Sequence, residues 1–413
     1  MHSANEPAAG EEGLRSVAQH RPFILFWCGR VLSTLSFQML SVAVGWQIYD
    51  LTGSAFDLGL VGLAQFLPML CLTFVVGHVA DRYDRRLISS ICMWIEALAA
   101  GALAVGTLQG WLNREWILLL VAIGGAARAF ESPTMAALVQ GIVPRALIPQ
   151  AAAWTTSATQ TAHILGPAIG GLLFGLGSMT AFVVSTVFFS LGGLFVACIR
   201  GSQPVPIKEP VTLRSVFSGL VFIRKHPILW GTLSLDLFAV LLGGATALLP
   251  IYAKDILQTG PWGLGLLRTS PAIGALLMSF YLARRPIRSG AGKILFRSLF
   301  IFGLATVAFG LSNNLLLSMA ALVVLGAADV VSVVIRFTLV QLQTPNEMLG
   351  RVSAVNSLFV GTSNQLGEFE SGVTAALFGV VPAVLLGGAG TILVAWLWMR
   401  WFPDLRKLEK LEG

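Results

Sequence analysis

Long apolar stretches, each interrupted by a charged or Gly/Pro-containing turn, follow one another along almost the whole chain. They fall at about 23 to 50, 56 to 79, 87 to 109, 115 to 140, 151 to 176, 180 to 199, 228 to 252, 262 to 283, 294 to 312, 314 to 340, 352 to 379 and 381 to 400. At about 1.5 Å per residue, roughly 20 residues cover the hydrocarbon core of a bilayer as a helix. The pattern therefore predicts an all-α integral membrane protein with twelve transmembrane helices. The longest hydrophilic connection, from Arg200 to about Pro227, divides six runs from six. Its first part, Gln203 to Pro210, is broken by prolines, whereas Leu213 to Lys225 has apolar residues at helical spacing beside Arg214, Arg224 and Lys225. That second part predicts an amphipathic helix lying on the inner membrane surface. The expected organisation is a tail at 1–21, a six-helix bundle at 22–200, a linker at 201–226, a second bundle at 227–400 and a tail at 401–413.

The two halves repeat each other. Leu138-Val-Gln-Gly-Ile-Val-Pro144 corresponds to Leu339-Val-Gln-Leu-Gln-Thr-Pro345, an offset of 201 residues that also superposes Gly125-Ala-Ala on Gly326-Ala-Ala and Gly166 on Gly367. A second block pairs Gly62 and Pro68 with Gly265 and Pro271 at an offset of 203, and the same offset takes Tyr49 to Tyr252. Repeats at equivalent topological places predict two pseudo-symmetric bundles with a substrate site between them near the membrane midplane.

Composition and charge sharpen this picture. Only 11% of the 413 residues are charged, 55% are hydrophobic, and mean hydropathy is +0.79, too few charges to cover a water-soluble surface. Of the 27 Lys and Arg, 21 fall in or beside the inner segments if both termini are inside, and the outer turns hold only Arg114 and Lys254. This asymmetry predicts N-in and C-in topology, and it assigns the net charge of +7 to the inner membrane face rather than to nucleic acid. No apolar leader precedes the first run, so a cleavable signal peptide is not expected. Cys28, Cys71, Cys92 and Cys198 lack C-x-x-C spacing or a His partner and read as packing residues.

The candidate chemistry lies in ten charges placed inside the apolar runs: Arg30, Glu96, Arg128, Glu131, Asp236, Arg268, Asp329, Arg336, Glu368 and Glu370. Facing lipid at mid-bilayer, each would cost roughly 2.5 to 3.5 kcal/mol, so they are expected to face a cavity or one another. The repeat sets Arg128 against Asp329 and Pro167 against Glu368, and Arg30 and Asp236 are opposite charges at similar depth. One reading makes these charges structural, with pairs such as Arg128 and Glu131 neutralising each other one turn apart. The favoured reading makes them functional, with carboxylates that take up and release protons while opposite charges pair and part. Asp329, Glu131, Glu368 and Asp236, with Glu370, are the proton-coupling candidates in that order, and Arg128, Arg30 and Arg336 their cavity partners. His163 is a weaker titrating candidate, and Phe37, Trp46, Phe130, Phe238 and Phe337 are candidate apolar contacts in the cavity.

Two motifs carry a resemblance. Gly77-His-Val-Ala-Asp81-Arg82-Tyr-Asp-Arg85-Arg86 resembles the G-x-x-x-D-R-x-x-R-R loop of the major facilitator superfamily, and Gly166-Pro167-Ala-Ile-Gly170-Gly171 resembles the element that its antiporter branches carry in the fifth span. Trp46 to Ser54, Leu349 to Val352 and Leu366 to Gly372 are similar to the drug/proton antiporter subfamily that includes the enterobactin exporter and macrolide-efflux proteins. The similarity covers essentially the whole chain. It implies export of a small organic molecule across a bacterial cytoplasmic membrane in exchange for protons, with no cofactor, no nucleotide, no nucleic-acid partner and a monomeric state. Read as chemistry, Gly77 allows close helix packing, Asp81 ends the second span, and Asp81 latches the inner gate against the start of the eleventh span beside Arg351. Departures are Asp84 where the superfamily often has Gly, the loss of the acid from the second copy of the loop at Arg284, and a first span with Arg30 and no acid before Asp50. Uptake by symport or uniport and a transport-dead sensor are the alternatives. An enzyme is not expected, since metal-ligand and phosphate-binding spacings are absent from the sequence.

Overall fold

The computed structural model describes residues 17–200, 213–287 and 289–409, so most of the N-terminal tail, the last four residues, the Pro-broken part of the linker and Arg288 lie outside them. The long helices are α1 (Arg21–Thr52), α2 (Ala55–Arg82), α3 (Arg85–Gln109), α4 (Arg114–Ile142), α5 (Ile148–Leu176), α6 (Ser178–Ala197), α7 (Leu213–Lys225), α8 (Pro227–Leu242), α9 (Gly260–Arg284), α10 (Ala291–Gly310), α11 (Leu315–Gln343), α12 (Asn346–Phe378) and α13 (Val380–Trp401). Ten segments, counting α8 with its continuation to Ile256 as one, are long and apolar enough to cross a membrane. α5 and α12 are 29 and 33 residues long but stay out of that set, α5 because of its Ser, Thr and Gln residues and α12 because it adds Glu347, Arg351, Glu368 and Glu370 to such polar residues. Large apolar side chains such as Leu98, Leu108, Leu172 and Leu304 stand exposed on these helices, as expected where the surroundings are lipid. The chain is a multi-pass membrane protein.

Local chemistry places the helix ends close to the sequence expectation. Gly53 closes α1 in the left-handed region at φ 61°, and Ser54 then caps α2 by accepting from the Asp57 amide at 3.3 Å. Asn113 caps α4 through the Trp116 amide at 3.0 Å, and Asn314, 201 residues on, caps α11 through the Leu316 amide at 2.9 Å. The repeat thus extends to the caps. α2 runs one residue beyond Asp81 to Arg82, because Tyr83 rather than Asp81 closes the last turn, its amide reaching the Val79 carbonyl at 3.1 Å. Asp84, the departure from the superfamily loop, has a plain use: it caps α3, accepting from the Arg86 amide at 2.9 Å and pairing with the Arg86 guanidinium at 2.8 Å.

The seventh apolar run differs from the continuous helix expected over 228 to 252. α8 stops at Leu242, and Gly243-Gly244 leads into a 3-10 turn (Ala245–Leu248), one turn of α-helix (Leu249–Ile251) and a π-helical turn (Tyr252–Ile256). The two glycines weaken the helix and Pro250 supplies no amide, so the backbone rewinds. The break directs Tyr252 into the second bundle, where its hydroxyl donates to the Gly310 carbonyl at 3.0 Å and its ring meets Phe309 at 4.4 Å. Tyr252→Phe is expected to lower stability by about 1–2 kcal/mol in thermal unfolding, since the fully buried carbonyl loses its donor.

Helices α1 to α6 pack chiefly on one another, as do α8 to α13, with α7 laid against α12 and α8. The two groups meet through two principal crossings, α5 on α9 and α2 on α12. In the first, Gly171 faces Gly265 and the Pro261 carbonyl, and Gly265 also faces the Pro167 carbonyl. In the second, Gly372 faces Gly59, and Gly62 faces Glu368. The crossings are pseudo-equivalent, with Glu368 standing where the first has Pro167. The Gly166-Pro167 motif is therefore shared between two contacts: Gly166 and Gly170 pack on Gln38 and Met39 of α1 inside the bundle, and Gly171 packs across it.

Candidate functional site

The described side-chain and glycine contacts between the bundles lie toward one end of the molecule, the end bearing the α1–α2 turn. There the Tyr49 hydroxyl donates to Asp255 and Lys254 pairs with Asp50, both joining the end of α1 to the π-helical turn. Nearer the middle, the Arg268 guanidinium of α9 donates to Ser41 of α1, and the Thr269 hydroxyl donates to the Ile164 carbonyl of α5 at 3.0 Å. Arg268 also lies within electrostatic reach of Glu368.

Within the first bundle the intramembrane charges form a compact cluster. Arg128 and Glu131, one turn apart on α4, make an ion pair, and Ser33 of α1 bridges them, donating to Glu131 at 2.7 Å and accepting from Arg128 at 2.9 Å. Such charge-assisted bonds suit Glu131, which is wholly buried. The Phe37 ring sits 4.6 Å from the Arg128 guanidinium carbon, a cation–π contact. Arg30 lies within electrostatic reach of both members of the pair, while the Gln38 amide and His163 Nδ1 are 3.0 Å apart nearby. Glu96 on α3 faces the same cluster, with neither carboxyl oxygen hydrogen-bonded among the described residues.

In the second bundle Asp236 of α8 and Arg336 of α11 form a buried ion pair. Glu370 accepts from Thr374 one turn on at 2.7 Å. Asp329 is half-buried and has no hydrogen-bonding or ion-pair partner among the described residues. The repeat explains the contrast with Arg128: the position equivalent to Glu131 is Ser332, so Asp329 has no charge one turn away. The sequence expectation set opposite charges of the two halves against each other; the structure instead pairs Arg128 with Glu131 and Asp236 with Arg336 inside each bundle. Helix rotation decides this, since these side chains point toward neighbours in their own bundle.

A groove of about 520 Å³ between α1 and α5 is lined by Trp27, Leu35, Trp154, Ser157, Thr161 and Leu165, among others. Its size and its apolar walls with a few hydroxyls match the usual small-molecule pocket. Of the candidate aromatics, Phe37 reaches the Arg128 cluster and Trp46 is buried, whereas Phe337 is exposed and Phe238 meets Trp398 in a tilted contact at 5.4 Å. Trp27 and Trp154 were not among them. They lie four positions before Val31 and Ala158 on the same helix faces, a periodic signal available in the sequence. The Tyr49–Asp255 and Ser41–Arg268 contacts gave no such signal, because each joins residues more than 200 positions apart.

The gating loop is seen in part. Gly77 and Asp81 fall in the last turns of α2, and the side chain of Asp81 lies outside the described residues. Arg86 donates to the Ile199 carbonyl, tying the loop to the end of α6, and Arg82 is exposed. Arg351 packs at the start of α12, where its backbone faces Gly219 of α7, and the described α2–α12 contacts lie at the opposite end of both helices.

Comparison with known proteins agrees with this geometry. A family model described as transmembrane secretion effector matches residues 16–412. The enterobactin exporter EntS of Shigella flexneri is 26% identical over 407 residues, covering 95% of this chain and 94% of its own. Macrolide efflux protein A of Streptococcus pyogenes is 23% identical over 406 residues, covering 94% and 97%. Among solved structures, a bacterial homologue of the human lysosomal transporter Spinster, inward-facing and occupied, superposes with a TM-score of 0.74 at 14% identity, over 93% of this chain and 97% of that one. A bacterial homologue of the iron transporter ferroportin, inward-facing, gives 0.72 at 17% identity over 92% and 98%.

Proposed function

We propose, from the premise that the chain belongs to the transmembrane secretion effector family of the major facilitator superfamily, that it is a secondary active exporter of a small organic molecule in exchange for protons. The substrate would be siderophore-like or amphipathic and drug-like, the membrane the bacterial cytoplasmic membrane, and the topology twelve spans with both termini inside. One observation carries the reading. The bundles are joined at one end by glycine crossings and polar latches, while the two intramembrane ion pairs, Arg128–Glu131 and Asp236–Arg336, each lie within a single bundle. Two such bodies can rock about the interface without breaking either pair, as alternating access requires. With N-in topology the joined end is the outer one. The groove of Trp27 and Trp154 then lies in the inner half, where a substrate loads from the cytoplasm.

Exchange for protons is supported by carboxyl groups that remain unpaired in this state, foremost Asp329 and Glu368; Glu131 and Asp236 are held by Arg128 and Arg336. The proton gradient would be the energy source, with no cofactor and a monomer as the working unit. The test is accumulation in liposomes with a macrolide and a catecholate siderophore as probes. A one-unit pH gradient, worth about 1.4 kcal/mol per proton, sustains about a ten-fold substrate gradient for each proton exchanged. Accumulation that ignores the gradient sinks the proton reading. Asp329→Asn is expected to abolish gradient-driven accumulation of a transported probe while leaving its equilibration intact, and undiminished accumulation would remove Asp329 from the pathway.

A further inference from the structure

We propose that Glu96 is a proton-binding group of the first bundle, exchanging its proton through a small water-holding chamber that reaches the bundle interface. The proposal rests on the proton-exchange reading but adds a position outside the coupling candidates ranked above. Glu96 is 3% exposed, and neither of its carboxyl oxygens has a hydrogen-bond partner among the described residues. It lines a cavity of about 50 Å³ walled by Phe37, Leu103 and Phe189 and given polarity by Ser41 and Gln65. A water needs roughly 10–15 Å³ and two or more polar partners. The chamber offers that space, and the Glu96 carboxyl, the Ser41 hydroxyl and the Gln65 amide supply the partners.

The groups facing Glu96 are few. α4 supplies Arg128 and Glu131, α3 itself supplies Cys92, α1 brings Arg30 beside the same pair, and α6 contains no ionisable side chain apart from its capping Cys198 at the far end. Glu131 already holds both Arg128 and Ser33. An ionised Glu96 would therefore have no protein donor within hydrogen-bond reach among the described residues and would depend on chamber water within a largely apolar wall. The neutral acid fits, because its hydroxyl can donate to chamber water. In the exchange step the O–H bond of Glu96 breaks, the proton passes to that water, and the electron pair remains on a carboxylate whose nearest cation is Arg128.

The chamber also explains how proton load would meet movement. Ser41 lines it and at the same time accepts from Arg268 of the opposite bundle. Parting of the bundles at this end breaks that bond and leaves Ser41 free for chamber water, so the wall of the proton site is itself a contact that opens.

The first test needs no substrate. In infrared difference spectra of the purified full-length protein, a protonated-carboxyl component that shifts in deuterated water, separate from any contribution of Asp329 and Glu368, is expected in wild type and Glu131→Gln, and is expected to be lost in Glu96→Gln. An unchanged band in Glu96→Gln overturns the assignment. Glu96→Asp, which keeps the acid, should keep a band, so its loss there together with a lowered melting temperature would mark a structural role and also overturn it. The second test uses the macrolide probe in liposomes. Under a one-unit pH gradient Glu96→Gln should lose the roughly ten-fold accumulation of wild type while still equilibrating the probe. Retained accumulation overturns the exchange step. If wild type itself ignores the gradient, the antiport reading fails, and the infrared result still decides whether Glu96 holds a proton.

Discussion

Replacing Asp236 with Ala is expected to destabilise the folded protein by about 3–5 kcal/mol, among the largest single losses the structure allows, because it leaves Arg336 charged, buried and unpaired. Both partners of this ion pair are under a tenth exposed, and they join α8 to α11 inside the second bundle. Removing both charges at once should cost far less. Asp236→Leu combined with Arg336→Met replaces the pair by apolar groups of similar bulk, and such exchanges are commonly neutral or stabilising. The measurement is denaturant or thermal unfolding of the wild type and these two variants in detergent. A double variant as unstable as the single one would show that the pair itself, rather than the orphaned arginine, supplies the stability. The same comparison bears on function. If Asp236 exchanges protons during transport, the double variant will be stable and inactive; if the pair is purely structural, it will be stable and active.

That prediction depends on a contact that sequence alone did not specify. Apart from the seventh, the apolar runs matched the long helices to within six residues at either end, since burial in lipid forces continuous hydrophobicity and the caps Ser54, Asn113 and Asn314 mark where it begins. The repeat was equally legible: Gly62 and Gly265, and Gly171 with its counterpart Gly372, turn out to be the close-approach points of two related crossings. Partner choice among the ten intramembrane charges was not legible. It depends on how far each helix is rotated about its axis, and a rotation of one residue moves a side chain by about 100°. Arg128 with Glu131 was readable because both lie on one helix. Asp236 with Arg336, and Ser41 with Arg268, were not. The break after Leu242 escaped for a different reason, since Gly243, Gly244 and Pro250 sit within an unbroken apolar run that reads equally well as one helix.

The other large effect is kinetic and belongs to the crossing of α5 and α9. A methyl group placed on Gly171 would come within 2.6 Å of the Pro261 carbonyl oxygen and 2.9 Å of the Gly265 Cα, both backbone atoms that cannot rotate away. Gly171→Val must therefore push the helices apart, at about 1–3 kcal/mol for overpacking of this kind. The cost falls on the state with this end closed and is relieved when the bundles part. A bias of about 3 kcal/mol shifts the ratio of the two states by more than 100-fold. Turnover should drop by at least about ten-fold, because each cycle must pass through the disfavoured closure. Gly175, one turn further along α5, is exposed, and a methyl group placed on it would meet nothing within 4 Å, so Gly175→Val is the matched control and should transport normally. Labelling of a cysteine introduced at Gly53, in the exposed turn between α1 and α2, is insensitive to closure; one introduced at Ser41, at the interface, should label faster in Gly171→Val than in the control. Equal labelling would mean that the crossing is not what holds this end shut. Gly372→Val provides the symmetry test, since a methyl group on Gly372 would meet the Gly59 backbone at 2.6 Å in the equivalent crossing. Because Glu368 replaces Pro167 there, a smaller effect at Gly372 than at Gly171 would show that the carboxyl has already loosened that contact, whereas equal effects would show that both crossings close as one.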